Sequence, residues 1–287
     1  MLKEYVYDID LTGEETAARF LRLVGRDKAV LEMGCSSGTQ TRILKEQLGC
    51  NVTAVEINPE AALTAQQYTR KIILGNIEQI DFDRELDGQS FDVIMFADVL
   101  EHLYDPAGTL RKIKPFLKAD GYIVATVPNF AHAAIAFEMA NGRFEYRKTG
   151  LLDDTHIRFF TRSSLYRTFE NAGFQITSLD RSFVKAEESE FAIRINSEAD
   201  RAVLDYIRKN NPESETYHFI VTALPGERVN TTHASQQELK SVEDLVSAKE
   251  TEIIQNEKKV RDLKSDLDGI TGSRSYRLMG KIRRFLS

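Results

Sequence analysis

Ala29-Val30-Leu31-Glu32-Met33-Gly34-Cys35-Ser36-Ser37-Gly38 joins a short apolar segment to a polar turn that begins and ends with glycine, and a helical pattern follows from Thr41. In a doubly wound parallel sheet, the ligand cleft lies beyond the carboxyl ends of the strands, and the turn after the first strand borders it. Glycine suits positions where the backbone bends sharply or touches a ligand. The stretch therefore predicts a ligand-binding turn between a strand and a helix.

Two phosphate-binding signatures can be compared with this turn. A P-loop carries lysine and then serine or threonine directly after its second glycine, whereas Gly38 is followed by Thr39-Gln40. The dinucleotide fingerprint GxGxxG also fails, because Ser36 and Thr39 stand where its second and third glycines belong. The turn therefore favours a ligand without phosphates.

Short β-branched runs alternate with helical patterns along the first half of the chain. Such runs are typical of strands buried on both faces, and the alternation predicts an α/β fold with a doubly wound, mostly parallel sheet. The predicted strands occupy residues 29–33, 52–55, 72–74, 91–96 and 122–127. The predicted helices occupy residues 41–48, 59–68 and 106–117.

The following segment predicts the far edge of the sheet. A helix is expected at residues 163–172, and strands at 174–179 and 217–224 would pair as an antiparallel edge. Residues 183–213 between these strands form a long insertion with a helix around 199–209. The pattern thus predicts a seven-stranded sheet.

Domain boundaries follow from the change in composition near residue 225. We expect a catalytic domain at 1–225, a linker at 226–237, a coiled coil at 238–271 and a basic amphipathic tail at 272–287. The predicted seam residues are Leu239, Val242, Val246, Lys249, Ile253, Asn256, Val260, Leu263 and Leu267. Such a seam favours a homo-oligomer, a dimer or a trimer. A single solvated helix folded back on the domain is the alternative.

Composition limits the function classes. The chain has 287 residues, 42% of them apolar and 29% charged, with a formal net charge of −6. This acidic balance argues against nucleic acid as a partner. Cys35 and Cys50 lack the spacing of a zinc site or a disulfide scaffold. Because no segment approaches ~20 consecutive apolar residues and no signal pattern opens the chain, we expect a cytoplasmic protein.

The turn resembles motif I, [DE]-x-G-x-G-x-G, of class I S-adenosylmethionine-dependent methyltransferases. Glu32, Gly34 and Gly38 match the motif, and Ser36 replaces its middle glycine. The resemblance covers about residues 25–225 and implies the Rossmann-like methyltransferase fold with S-adenosylmethionine as cofactor.

Three further segments extend this resemblance. Glu56 ends the second predicted strand, at the distance where a ribose-binding carboxylate belongs. Residues 74–78, Leu-Gly-Asn-Ile-Glu, look like the family's G-[DN]-x-E segment beside the adenine. Residues 97–106 are similar to the family's segment after the fourth strand. Their order and spacing along the chain favour the methyltransferase assignment over other nucleotide folds.

The resemblance also implies which residues contact the cofactor. Glu32 and the backbone around Gly34 and Gly38 would hold the methionine part, Glu56 would accept the ribose hydroxyls, and Asn76 with Ile77 would border the adenine. The full predicted set is Glu32, Gly34, Cys35, Ser36, Gly38, Glu56, Ile57, Asn76, Ile77 and Asp98.

Two histidines are candidate catalytic residues, because methyl transfer to a hydroxyl needs a group that takes a proton near neutral pH. His156 is the first candidate, with Asp153 or Asp154 expected to orient its ring, since it follows the fifth strand where an acceptor would enter. His102, near the cleft by strand order, is the second. Packing of the following helix, for His156, and shaping of the pocket, for His102, are the alternatives.

A magnesium site is an alternative role for the acidic and histidine side chains near the cleft. The acidic and histidine side chains expected near the cleft are Asp98, Glu101, His102, Asp153, Asp154 and His156. Scattered carboxylates are more often solvated or paired with cationic side chains. We therefore expect no metal.

The acceptor is inferred from resemblance alone. Residues 150–161 look like a segment common in bacterial methyltransferases of surface-polysaccharide gene clusters. Residues 272–278, Gly-Ser-Arg-Ser-Tyr-Arg-Leu, resemble a stretch that often follows coiled coils in bacterial glycosyltransferases and their partner methyltransferases. These resemblances imply an acceptor hydroxyl on a sugar or a lipid-linked glycan, and a glycosyltransferase partner.

The basic residues 272–287 allow a peripheral contact with the inner face of a membrane, where lipid-linked glycans are assembled. Docking of this segment on the acidic domain is the alternative. Two other functions stay open: methylation of a small metabolite, quinone-like or an amine, and a coiled-coil scaffold with a vestigial methyltransferase domain. The intact Glu32, Gly34, Gly38 and Glu56 argue against the scaffold.

Overall fold

The computed structural model describes residues 9–226. The predicted coiled coil and basic tail, and the linker beyond residue 226, lie outside the described residues. The strands are β1 (Ala29–Met33), β2 (Asn51–Glu56), β3 (Lys71–Leu74), β4 (Phe91–Ala97), β5 (Leu117–Pro128), β6 (Phe174–Phe183) and β7 (Thr216–Pro225). The α-helices are α1 (Thr16–Val24), α2 (Thr39–Glu46), α3 (Pro59–Ala65), α4 (Phe82–Leu86), α5 (Pro106–Ile113), α6 (Ala133–Ala140), α7 (Arg162–Asn171) and α8 (Glu198–Asn210).

Within residues 9–226, the seven strands form one sheet in the order β3-β2-β1-β4-β5-β7-β6. β1 to β5 run parallel to one another, and β7 runs antiparallel to both of its neighbours. The doubly wound, mostly parallel sheet predicted from the sequence is thereby confirmed. The chain runs outward from β1 to β3 and returns to β4 on the other side of β1, so a ligand cleft is expected where β1 and β4 part.

The antiparallel pairing of β6 with β7, predicted from the sequence, is also confirmed. β7 in addition inserts between β5 and β6, so β6 alone forms this edge of the sheet. Phe219, Ile220 and Val221 of β7 are fully buried, whereas Phe183 at the end of β6 is exposed. The register with β5 sets His218 beside Pro128, at the carboxyl end of the parallel strands.

Helices cover both faces of the sheet. Side chains of α1, α2 and α3 pack on one face, and side chains of α4, α5 and α7 pack on the other. Successive residues of a strand point to opposite faces, so Val30 joins the first layer and Leu31 the second. The middle of each parallel strand is therefore largely apolar on both faces, and the acids Glu32 and Glu56 lie at carboxyl ends.

The helix predicted at residues 106–117 is shorter than expected. α5 ends at Ile113, a 3₁₀ turn covers Lys114–Phe116, and β5 begins at Leu117. Pro115 in this turn has no N–H group to donate and its ring obstructs the preceding helical turn, which ends the helix early.

Three helices were not predicted from the pattern. α1 precedes the first recognised strand, α4 has only five residues, and α6 is apolar almost all round, so no amphipathic stripe marks it. α6 packs against α8, which lies in the insertion where a helix was expected. Phe137 of α6 and Leu204 of α8 belong to one buried cluster. Among residues 9–226, no helix is long and apolar enough to cross a membrane.

Replacement of the core residue Phe219 by alanine tests the burial of β7. Phe219→Ala removes a fully buried ring between sheet and helices, and we expect it to lower the free energy of unfolding by about 3–5 kcal/mol. Phe183→Ala removes the same ring from a site that is 67% exposed, and a change within about 0.5 kcal/mol is expected. Urea unfolding followed by circular dichroism measures both, and equal losses would contradict the assigned positions of these strands.

Candidate active site

A cavity of about 660 Å³ lies at the carboxyl ends of the parallel strands. The turn after β1 and the ends of β2 and β4 form one part of its wall. The start of β7 forms another part, together with Gly150, Asp153, Thr155 and His156. The predicted site residues in the wall are Glu32, Gly34, Cys35, Ser36, Glu56, Ile57, Asp98, His102 and His156. The predicted site residues outside the wall are Gly38, Asn76, Ile77 and Asp154.

Gly34 and Gly38 allow the turn after β1 to pack tightly. Their φ angles are +78° and +86°, in the region that favours glycine. A Cβ on Gly34 would lie 2.9 Å from Cγ2 of Val99, and a Cβ on Gly38 would lie 2.8 Å from the Cα of Ala65. Gly38 therefore packs against α3 and lies outside the cavity wall, and its predicted contact with the cofactor stays a prediction.

Glu32 at the end of β1 is a buried acid in the cavity wall. Its side chain is 3% exposed, and the Thr41 hydroxyl of α2 donates a hydrogen bond to its Oε2 at 2.7 Å. Burial, with a smaller contribution from the negative charge of Glu56, raises the pKa of Glu32 to about 7. Near neutral pH this acid is therefore poised between its neutral and ionised forms, and a cation in the cavity would favour ionisation.

Glu56 at the end of β2 joins two turns. Its Oε2 accepts the backbone N–H of Ser36 at 2.7 Å, and its Oε1 accepts the backbone N–H of Asn58 at 2.8 Å. Carboxylate oxygens have further lone pairs, so these bonds leave capacity for a ligand's hydroxyls. Ile57 next to it is 65% exposed on the cavity wall and offers an apolar surface.

Asn76 and Ile77 hold the turn after β3. Oδ1 of Asn76 accepts the backbone N–H of Glu78 at 2.9 Å, and Ile77 is buried in the core. The Glu78 carboxylate in turn accepts the backbone N–H groups of Tyr104 and Asp105 at 3.0 and 2.7 Å. The structure thus uses this segment to tie the β3 turn to the start of α5, and does not bring Asn76 or Ile77 into the cavity wall.

Asp98 follows β4 with a φ of +52°. The Thr126 hydroxyl of β5 donates to its Oδ1 at 2.9 Å, and Nε2 of His218 lies 3.6 Å from the same oxygen. His218 and its neighbour Tyr217 line the cavity, although no sequence motif pointed to them. Only the insertion of β7 beside β5 brings these residues from the far end of the domain to the site.

Three side chains form an acid-histidine cluster, composed of Glu101, His102 and His156. Nε2 of His156 lies 4.0 Å from Oε1 of Glu101, and the two imidazole ring centres are 4.9 Å apart. Glu101 and His102 belong to the 3₁₀ turn after β4. The backbone carbonyl of Glu101 accepts the N–H groups of Ile157 and Arg158, which holds the segment of His156 against this turn.

Backbone carbonyls orient both rings of the cluster. Nδ1 of His102 lies 3.1 Å from the carbonyl oxygen of Thr155, and Nδ1 of His156 lies 3.2 Å from that of Leu151. A carbonyl can only accept, so Nδ1 carries the proton in each ring and Nε2 keeps its lone pair while the ring is neutral. Burial, and secondarily the neighbouring His102, lowers the pKa of His156, which favours that neutral form.

Glu101 is the residue of the cluster that the predicted site omitted. Its side chain is fully buried, and within the described part of the chain neither carboxylate oxygen has a hydrogen-bond partner. Burial raises the pKa of Glu101 well above its usual range. In the sequence Glu101 stands between Leu100 and His102, with Asp98 three residues earlier, and no local pattern marks it as buried.

The hydrogen bonds of the two aspartates expected to orient His156 involve neighbouring residues. The Asp154 carboxylate pairs with the exposed Lys148, and Oδ1 of Asp153 accepts both the backbone N–H and the hydroxyl of Thr155. Among residues 9–226 the Asp154 carboxylate contacts Lys148 and lies outside the cavity wall, which does not support its predicted role toward His156. The Leu151 carbonyl orients the ring instead.

Glu32 makes a pH-dependent contribution to stability that can be measured. Its pKa of about 7 exceeds the ordinary 4.5, so the folded state binds the proton more tightly and loses stability as the pH rises from about 4.5 to 7. The loss corresponds to roughly 3 kcal/mol. Glu32→Gln keeps an acceptor for Thr41 without the charge, and we expect it to remove this loss.

The measurement is urea unfolding of ligand-free protein at several pH values. The stability of Glu32→Gln relative to wild type should increase with pH across this window. Glu46→Gln, at an exposed position near the end of α2, controls for the loss of one negative charge. If the difference in free energy of unfolding between wild type and Glu32→Gln stays constant with pH, the raised pKa of Glu32 is ruled out.

Comparison with known proteins agrees with this geometry. A family model described as a methyltransferase domain matches residues 9–179. The chain is 25% identical over 158 residues to a ubiquinone biosynthesis O-methyltransferase of Xanthomonas axonopodis pv. citri, covering 54% of this chain and 66% of that protein. It is 32% identical over 117 residues to the protein of the same name from Glaesserella parasuis, covering 37% and 48%. The chain thus spans from about half to two thirds of the length of these relatives.

Solved structures share the fold. A SAM-dependent methyltransferase from Archaeoglobus fulgidus superimposes with a TM-score of 0.50 at 21% identity, covering 72% of this chain and 91% of that one. An S-adenosylmethionine-dependent methyltransferase from Mesorhizobium loti gives a TM-score of 0.50 at 16% identity, covering 75% and 99%. Because the family model spans more than half of the chain and the sheet has the matching architecture, the protein belongs to the methyltransferase domain family, with the class I fold of the S-adenosylmethionine-dependent methyltransferases.

Proposed function

We propose that this chain transfers a methyl group from S-adenosylmethionine to a hydroxyl oxygen of a small-molecule acceptor. The observation that carries the proposal is a single cavity whose wall holds acidic acceptors at the ends of β1 and β2 and two histidines, His102 in the turn after β4 and His156 in the segment after β5. Its volume of about 660 Å³ lies within the usual range of ligand pockets, roughly 300–1,000 Å³. The part of the wall that holds the acids suits a cationic cofactor. The part that holds the histidines suits an acceptor that gives up a proton.

The residues at the β1 turn fit the methionine part of the cofactor. Glu32 is a buried acid that a cation would help to ionise. Gln40 also lines the cavity, and among residues 9–226 no hydrogen-bond partner lies within reach of its buried Oε1. Two acceptors without competing cations suit an ammonium group, which has three N–H donors. Backbone N–H groups at the start of α2 suit a carboxylate.

The β2 turn fits the ribose. Glu56 is held by two backbone N–H groups in one orientation, and its remaining lone pairs suit the two ribose hydroxyls. The exposed side chain of Ile57 suits an apolar ring face. Asn76 and Ile77 remain assigned to the adenine by resemblance alone.

The acid-histidine cluster fits the acceptor end. When bound, S-adenosylmethionine supplies a methyl group on a sulfonium, which a nucleophile displaces in line. The chain must therefore align the acceptor with the methyl group, exclude water and help to remove the proton that the acceptor hydroxyl loses. The Nε2 lone pairs of His102 and His156, oriented by backbone carbonyls, suit contact with an acceptor hydroxyl.

The acceptor class has two candidates, each favoured by a separate observation. The relatives' name, ubiquinone biosynthesis O-methyltransferase, favours an oxygen nucleophile on a quinone-like ring. The resemblance of residues 150–161 to methyltransferases of surface-polysaccharide clusters favours a sugar or lipid-linked glycan. The coiled coil and basic tail predicted from the sequence would then serve as contacts for a glycosyltransferase, a second copy or a membrane surface. Both are hydroxyl acceptors, and the same assay compares them.

Calorimetric titration tests the cofactor half. Wild-type protein is expected to bind S-adenosylmethionine, and Glu56→Gln is expected to bind it at least about tenfold more weakly, because the amide replaces one acceptor by a donor. Glu60→Gln, an exposed acid in the first turn of α3, should bind like wild type. No binding by wild type would contradict the proposed function, and equal binding by Glu56→Gln would contradict its assigned role.

Methyl transfer tests the acceptor half. Full-length protein with labelled S-adenosylmethionine is offered sugar hydroxyls, lipid-linked glycans and quinol-like phenols in parallel. His156→Ala is expected to reduce turnover about 10²-fold or more while its cofactor affinity stays unchanged. Asp154→Asn, whose side chain pairs with Lys148 outside the cavity, should keep turnover near wild type. Turnover of His156→Ala within a few-fold of wild type at all pH values would refute its role.

A further inference from the structure

We propose that Glu101, His102 and His156 bind one divalent first-row transition-metal ion, and that this ion holds the acceptor hydroxyl. Metal binding itself needs only the three side chains. The role toward the acceptor rests on the proposed methyl transfer and specifies how the cluster would promote it. The sequence alone favours no metal, whereas the positions of these three side chains favour one.

Glu101 provides the first observation. Its carboxylate is 0% exposed, and in the described chain both of its oxygens lack a hydrogen-bond donor. An unpaired buried carboxylate is costly, and native proteins satisfy such groups with donors, cationic side chains or metal ions. Nε2 of His156 lies 4.0 Å from Oε1 of Glu101 and carries no proton in the tautomer that the Leu151 carbonyl imposes. A cation between these two atoms would satisfy both.

The histidines provide the second observation. Each ring places Nδ1 against a backbone carbonyl, that of Thr155 for His102 and that of Leu151 for His156. Histidines that bind metals show this arrangement, in which the second nitrogen donates to a carbonyl or carboxylate and thereby presents a lone pair to the metal. If one histidine acted alone as a base, only the orientation of that ring would be explained, and the matching orientation of the other ring would have no function.

Proximity provides the third observation. One ligand atom from each of the three side chains can be chosen so that all lie within 4.8 Å of one another. Coordination at about 2.0–2.2 Å requires these atoms to draw closer together. His102 is exposed, so its ring has room for that movement, while Glu101 and His156 form the buried part of the site.

The ligand set indicates the class of metal. Two imidazole nitrogens and one carboxylate oxygen suit zinc, manganese, iron or cobalt as divalent ions, whereas magnesium prefers oxygen ligands and retains several waters. Three protein ligands also leave coordination positions open. Because all three residues line the cavity, the open positions would face a bound acceptor.

Such an ion would take over proton removal from the histidines. A hydroxyl bound to a divalent metal would have a lowered pKa and would release its proton more readily to solvent at the exposed edge of the site, where His102 lies. The oxyanion that remains would attack the methyl carbon in line, so that the O–CH3 bond forms as the S–CH3 bond breaks and S-adenosylhomocysteine leaves. His102 and His156 then serve as ligands, and neither ring needs to take the proton itself.

Direct metal binding tests the site without reference to activity. Full-length, untagged protein is stripped with a chelator, and Zn²⁺, Mn²⁺, Co²⁺ and Mg²⁺ are titrated separately, with bound metal measured by elemental analysis and Co²⁺ also by its visible absorption. We expect one transition-metal ion per chain and much weaker binding of Mg²⁺. Absence of stoichiometric Zn²⁺, Mn²⁺ or Co²⁺ binding would overturn the proposal.

Variants locate the ion. His102→Ala alters an exposed ring, so its fold should persist, and Glu101→Gln keeps the shape of the buried side chain; we expect each to weaken metal binding at least about tenfold. His218→Ala removes a histidine from the same cavity wall but outside the cluster, and should bind the ion like wild type. Equal affinity in His102→Ala and wild type would overturn the assignment.

The role toward the acceptor has its own readout. Chelation is expected to reduce methyl transfer at least tenfold while leaving S-adenosylmethionine affinity unchanged, and Zn²⁺, Mn²⁺ or Co²⁺ should restore it. Cofactor binding and full transfer by stripped protein would refute the ion's role and leave the proposed function intact. Metal binding without cofactor binding would refute the proposed function and leave the metal site intact.

Discussion

The hydrogen bonds of the Glu56 carboxylate connect the parts of this site. One oxygen accepts the N–H of Ser36 and the other that of Asn58, so a single side chain joins the turns after two adjacent parallel strands. The N–H groups of Gly34 and Cys35 reach the Val55 carbonyl, which adds backbone bonds between the same turns. The cavity wall is therefore rigid at the cofactor end before any ligand arrives, and binding would not need to order it.

Two buried acids give the cavity its polarity. Glu32 retains a hydrogen bond from Thr41, whereas Glu101 has no donor among residues 9–226. Both face a space that a cation can enter, and burial raises the pKa of each. Glu32, which keeps one hydrogen-bond donor, suits an organic ammonium group that shares its acceptors with other donors. Glu101, which has none among the described residues, suits a metal ion that takes the place of donors.

Much of the fold was predictable, because its strongest determinants are local. β1 begins and ends where the apolar run does, and the helices at α2, α3 and α7 lie within a few residues of their predicted positions. The failures also have physical causes. Pro115 shortens α5, and α6 is nearly uniformly apolar because the α8 insertion and neighbouring buried segments surround it. Asp154 pairs with Lys148 and lies outside the cavity wall, because adjacency in sequence does not fix which way a side chain points.

By itself, the sequence determined the doubly wound sheet, the turn at Gly34 and the acids Glu32 and Glu56 at strand ends, since strand periodicity and turn chemistry act over a few residues. Tertiary structure decided which distant groups meet there. It inserted β7 beside β5 and so brought His218 to Asp98. It also set Glu101 within reach of His156, a pairing across more than fifty residues that depends on the packing of a whole sheet and has no local signal.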